Sequence, residues 1–135
     1  MTTDSLRKQV EAWFTPEALV ELLGDPESDA ASVAQAWLQQ DGRRWRPFLT
    51  AGVCASLQAP RAPSRDVRRL AVAVECFHKA SLIHDDIEDG DTVRYGLPTL
   101  HARLGLPVAL NAGDYLLGEG YRQIGATEVS ASRKA

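Results

Sequence analysis

The densest run of side chains able to do chemistry is Ser81-Leu82-Ile83-His84-Asp85-Asp86-Ile87-Glu88-Asp89. Asp85 and Asp89 are four apart, so on a helix both carboxylates leave one face, roughly 6 Å apart. Asp86 flanks that face. Like charges at this spacing repel, and acidic groups at a helix C-terminus oppose its dipole. A cation relieves both penalties. Mg²⁺ suits the pattern, because it is held by one or two carboxylates together with waters and phosphate oxygens. The plain alternative is a solvated acidic helix end. A calcium EF-hand is excluded by count, since Ile87 and Gly96 fall where oxygen ligands are required. Zinc is a poor match, because His84 has no His/Cys companions at ligand spacing.

Basic counterparts lie on either side. Gly42-Arg43-Arg44-Trp45-Arg46-Pro47 sits at a helix start, where Arg43 and Arg46 are three apart and can converge. Guanidinium forks suit bidentate phosphate binding, and helix-start N–H groups add to an anion site. An ordinary basic helix end would look the same in isolation. Arg94 follows the acidic cluster in the segment Asp91 to Thr99, and His78 lies seven residues before Asp85. A lone histidine there also fits a satisfied core residue. Together the features describe a diphosphate site, with metal held by carboxylates on one side and guanidinium groups on the other.

Helices must position these groups. The pattern predicts one or two helices over Asp4 to Leu23, with Thr15 as N-cap and Pro16 at the first helical position. A break at Gly24-Asp25-Pro26 precedes a helix from Glu27 to Gln40. Asp41-Gly42 ends it, and Arg44 to Leu57 forms the next. Pro60 to Pro63 reads as a turn, and Ser64 caps the longest helix, Arg65 to Asp89. That helix is apolar all round between Leu70 and Ile83, which predicts a central position. Gly90 to Pro98 reads as a loop, Thr99 to Leu104 as a short helix and Pro107 to Ile124 as the last. No β-alternation of useful length, internal repeat or low-complexity run occurs, so the fold class is all-α.

Composition agrees with one globular unit over residues 1–135. The chain is 44% apolar and 24% charged, with a net charge of −3, which argues against a basic nucleic-acid binder. No run of 18 apolar residues exists and the N-terminus lacks an apolar signal core, so the expected location is cytoplasmic, with no membrane span. Cys54 and Cys76, far apart, read as buried reduced thiols. The apolar faces exceed what these helices can cover among themselves, which points to part of a larger helical body.

The chain resembles the trans-isoprenyl diphosphate synthases, the polyprenyl synthetase family, over about residues 42–121. Gly42-Arg43-Arg44-Trp45-Arg46-Pro47 is similar to the family's G-K-R-x-R-P element. The stretch from His78 to Asp89, HKASLIHDDIED, looks like its first aspartate-rich D-D-x-x-D motif with its lead-in. Arg94, then Gly96 to His101, and Asn111 to Leu117 continue the match. Three elements in order are specific where a lone D-D-x-x-D would not be.

The resemblance implies the N-terminal half of an isoprenoid-synthase-type helical bundle around a central cavity, usually homodimeric. It implies condensation of isopentenyl diphosphate with an allylic diphosphate, a reaction in which the allylic C–O bond ionises with Mg²⁺ and Arg stabilising the departing diphosphate. By this likeness Asp85, Asp86 and Asp89 hold Mg²⁺ on the allylic diphosphate, Asp85 and Asp89 directly, and Arg94 contacts the same group. Arg43, Arg46 and His78 bind isopentenyl diphosphate. The aspartate helix also walls the chain cavity, so Ser81 and Ala80, both small, would leave room for a longer tail and Phe77 would set its floor. That favours a geranylgeranyl-length product or longer.

Three departures stand out. Arg43 replaces the usual Lys, Tyr95 replaces a second Arg, and the second aspartate-rich motif is absent. The expectation is therefore a half-site that needs a missing C-terminal half or a second polypeptide. A non-catalytic binding or regulatory subunit is the alternative. An Mg²⁺-dependent terpene cyclase is a weaker one, because a cyclase has no use for the Arg43/Arg46 element.

Overall fold

The computed structural model describes residues 2–40, 42–58 and 64–128. They form α1 (Thr3–Ala12), α2 (Pro16–Leu23), α3 (Asp29–Gln39), α4 (Trp45–Gln58), α5 (Arg65–Asp89), β1 (Val93–Arg94), β2 (Leu97–Pro98), α6 (Leu100–Leu104) and α7 (Leu106–Gly125). The expected break residue Asp41, the turn Pro60–Pro63 and the polar end at Ser130–Ala135 lie outside the described residues.

Helix starts follow the capping chemistry of the sequence. The hydroxyls of Thr2, Thr15, Ser28 and Ser64 accept from the N–H groups of Ser5, Ala18, Ala31 and Val67 at 3.1–3.3 Å. Each satisfies one donor that the first turn leaves orphaned, a contribution of about 1 kcal/mol. Pro16 opens α2 as expected. Gly90, at φ 68°, closes α5 in the left-handed region, where a side chain would be strained.

α5 occupies the centre, packed against α3, α4, α6 and α7. Val72, Cys76, Ala80 and Ile83 of α5 join Leu19, Leu38, Leu100 and Leu116 in one core. On α7, Gly113 and Gly120 let the helices approach closely. A Cβ at Gly113 would collide with the His84 imidazole, and one at Gly120 would lie 2.6 Å from the Phe77 ring.

Three expectations need correction. The loop over Gly90–Pro98 contains a minimal antiparallel hairpin, Val93 opposite Pro98 and Arg94 opposite Leu97. Its two turn residues, Tyr95 at φ 53° and Gly96 at φ 77°, are both left-handed, the geometry that matches strand twist in a two-residue turn. Two-residue strands are too short to show an alternating pattern. Cys54 is only half-buried, while Cys76 is buried, and its thiol is pushed well above the ordinary range by desolvation. Ala80 is fully covered in the core and lines no open channel, because its face of α5 turns inward.

Candidate diphosphate cleft

α3 ends, α4 begins and α5 passes beneath them. Between these elements and the β1–β2 hairpin lies a cleft of about 960 Å³, within the range of small-molecule sites. Arg43, Arg46, His78 and Arg94 all line it. The sequence places these four up to 51 positions apart, and the fold brings them together.

Arg46 lies in the first turn of α4 and its Nη1 lies 3.2 Å from His78 Nε2. Arginine is a donor only, so Nε2 accepts and the imidazole is neutral with its proton on Nδ1. Burial lowers the His78 pKa, and the charges of Arg46, Lys79 and Arg94 lower it further. The Arg46 guanidinium also stacks over Trp45, 4.5 Å from the ring centroid.

Arg94 is fixed from behind. Its Nε and Nη2 donate to Asp86 Oδ2 and Oδ1 at 2.9 and 2.8 Å, a bidentate pair. That bond raises the Arg94 pKa above its already high ordinary value. Asp86 is buried at the end of α5, so its carboxylate is committed to the hairpin. Asp86 therefore aims Arg94 at the cleft, a pairing between α5 and the hairpin that local spacing did not indicate.

Asp85 and Asp89 are exposed on α5, and neither forms an ion pair among the described residues. No group of three or more His, Cys, Asp or Glu side chains among the described residues forms a ready metal cage. Two exposed carboxylates four apart do fit Mg²⁺, which takes the rest of its shell from water and phosphate oxygens. The acidic pair begins at Asp85, seven residues beyond His78, or about 10 Å along the helix axis.

Two other expected site residues lie away from the cleft. Ser81 is exposed on α5, where its hydroxyl donates to the His78 carbonyl at 2.7 Å. Phe77 packs against α7, edge-on to Tyr121 with ring centroids 5.1 Å apart. Conversely, the cleft includes residues to which the sequence reading assigned no role, among them Arg44, Glu75, Lys79 and Leu82. Glu75, His78, Lys79 and Leu82 follow the i, i+3, i+4, i+7 rule, so one helical face would have grouped them. Burial raises the Glu75 pKa, opposed by the charges of Arg44, Lys79 and Arg46.

Comparison with known proteins gives a consistent set. The profile described as polyprenyl synthetase matches residues 28–133. Geranylgeranyl pyrophosphate synthase of Geoglobus acetivorans is 36% identical over 106 residues, covering 78% of this chain and 32% of that protein. The solved structure of the geranylgeranyl pyrophosphate synthetase from the same archaeon superposes with a TM-score of 0.79 at 29% identity, over 98% of this chain and 41% of that one. Heptaprenyl diphosphate synthase of Staphylococcus aureus shares the fold, with a TM-score of 0.77 at 24% identity. The chain spans about a third of the length of the curated relatives it matches.

Proposed function

The chain belongs to the polyprenyl synthetase family, and from that premise we propose that it supplies the diphosphate half-site of a prenyltransferase. The reaction condenses isopentenyl diphosphate with an allylic diphosphate. The observation that carries the reading is the convergence of Arg43, Arg46, His78 and Arg94 on one cleft, beside a helix whose Asp85 and Asp89 stand exposed.

Each residue has a definite task. Arg43 and Arg46 clamp the isopentenyl diphosphate, and neutral His78 adds its Nδ1–H as a donor without demanding a counter-charge. Arg94, aimed by Asp86, meets the allylic diphosphate. Asp85 and Asp89 would hold Mg²⁺, which when bound neutralises charge on the leaving group. Donors fixed before the reaction stabilise the charge that develops as the C–O bond ionises. The small, exposed Ser81 beside the acidic pair agrees with a product of geranylgeranyl length or more.

The whole activity requires the second acidic motif, from a C-terminal half or a second polypeptide, and a homodimer formed on the α7 side fits the family pattern. Tyr95, where an Arg would reinforce the cleft, favours a second reading: a non-catalytic binding subunit.

One assay separates the two. The chain is mixed with the C-terminal two-thirds of the Geoglobus acetivorans synthase, labelled isopentenyl diphosphate, an allylic diphosphate and Mg²⁺. Elongated product that requires both polypeptides supports the prenyltransferase. Diphosphate binding without product supports the binding subunit. Neither binding nor product contradicts both readings.

A further inference from the structure

Arg44 stands between the two arginines assigned to the diphosphate, yet its own side chain is buried and turned into the protein. Its backbone lies in the left-handed region at φ 50°, a conformation that costs a non-glycine residue energy. Its carbonyl nevertheless accepts the first helical bond of α4, from the Phe48 N–H at 2.9 Å. A strained residue at a helix start persists only when its surroundings over-determine it.

The surroundings do so from three directions. Arg44 Nη2 donates to the Gln39 and Gln40 carbonyls at 3.1 and 3.0 Å. These are terminal carbonyls of α3, the negative end of its dipole. Arg44 Nη1 lies 3.7 Å from Glu75 Oε1 on α5. The guanidinium stacks over Phe14, between α1 and α2, 4.3 Å from the ring centroid. Lys79 joins the same knot through Nζ to the Gln40 carbonyl at 3.3 Å. One side chain thereby ties the end of α3, the α1–α2 joint and α5 to the start of α4.

From this geometry we infer that Arg44 is the positioning residue of the anion cleft, holding Arg43 and Arg46 at its rim while acting through them. The inference rests on the diphosphate reading of the cleft. Arginine is needed because only a planar fork reaches two carbonyls, a carboxylate and an aromatic face at once. Lysine keeps the charge but loses the fork. A purely electrostatic role for Arg44 would survive Arg44→Lys, and a positioning role would not.

The test uses the full chain, inorganic pyrophosphate without Mg²⁺ so that Asp85 and Asp89 contribute nothing, titration calorimetry, and the His78 imidazole followed by NMR. The control Arg43→Ala/Arg46→Ala should weaken pyrophosphate binding by far more than about tenfold. If the unaltered chain fails to bind, or the control binds as tightly, the diphosphate reading falls and this inference with it. Given binding, Arg44→Lys should weaken it about tenfold at unchanged net charge. The His78 titration should also rise towards the ordinary value near 6.5 as Arg46 loses its register. Binding and titration both unchanged in Arg44→Lys overturn the inference, whatever happens to the melting temperature. Should Arg44→Lys fail to fold, Phe14→Leu decides: Phe14 does not line the cleft, and its ring carries the Arg44 guanidinium. The substitution should weaken binding about threefold with the same His78 shift, and unchanged binding overturns the inference.

Discussion

The two flanks of α5 are built on opposite principles. On α7 the buried face is built of Leu116 and the small residues Ala109, Ala112, Gly113 and Gly120, with His84 and Phe77 of α5 resting on the glycines. Towards α4 the contact is narrower, and α4 turns Trp45, Leu49, Val53 and Leu57 outward, each half or more exposed. These four recur every fourth residue, which is one helical stripe. The cationic cleft opens at the head of that stripe. The closed flank holds the fold together, and the open flank carries the cleft and an exposed apolar stripe.

The largest effect should come where the hairpin is tied to the end of α5. Asp86→Ala strands the Arg94 guanidinium. Breaking a buried pair costs about 3–5 kcal/mol, reduced to about 2–3 here because Arg94 is partly exposed. Urea unfolding measures it, and pyrophosphate affinity should fall in parallel. A cost below about 0.5 kcal/mol would show that the bidentate pair is not formed in solution.

Next comes the α7 seam. Gly120→Ala gains about 1 kcal/mol of helix propensity but forces the Phe77 ring off Tyr121, an overpacking cost of about 1–3 kcal/mol. The account predicts net destabilisation. Gly118→Ala on the same helix meets nothing within 4 Å, so it should stabilise the chain by about 0.5–1 kcal/mol. Equal signs for the two variants would erase the distinction between a packed and an open face.

His78 gives a smaller, pH-dependent effect. Its native pKa is lowered, mainly by burial and then by the neighbouring cations. The unfolded imidazole takes up its proton near pH 6.5 while the native one still resists. Between those two values the unfolded state binds more protons, so stability falls as pH drops below about 6.5. Glu75, whose native pKa is raised, acts in the opposite sense nearer its own range. The difference between the unaltered chain and His78→Gln isolates the histidine. Urea midpoints at pH 7.5 and 5.5 should move further apart in the unaltered chain than in His78→Gln.

The smallest effect belongs to the open stripe. Leu49→Ser and Val53→Ser should change the stability of the isolated chain by no more than about 0.5 kcal/mol, because neither side chain is covered. A cost of about 2 kcal/mol would mean that the stripe is buried in solution, for instance by self-association detectable in sedimentation.

Much of this was legible in the sequence. Thr15-Pro16 and Ser64 announce helix starts through local hydrogen bonds, and the apolar belt of α5 announces a central helix. The i, i+4 spacing of Asp85 and Asp89 needs only helical geometry. What escaped depends on tertiary placement. Asp86 is taken by Arg94 through a hairpin whose strands are too short to carry a pattern. Ala80 and Ser81 are neighbours in sequence, yet one is sealed in the core and the other exposed, which the inward face of α5 decides. The knot around Arg44 joins Phe14, Gln40 and Glu75, and such long-range partners leave no local signal.

The central claim is that the exposed carboxylates on α5 act through Mg²⁺ on the allylic diphosphate that Arg94 meets, beside the guanidinium groups that hold a second diphosphate in the cleft. Calorimetric titration of pyrophosphate into the full chain, with and without Mg²⁺, tests it most directly. Mg²⁺ should tighten binding, and that increment alone should vanish in Asp85→Ala/Asp89→Ala. An undiminished Mg²⁺ increment in that double variant would contradict the account.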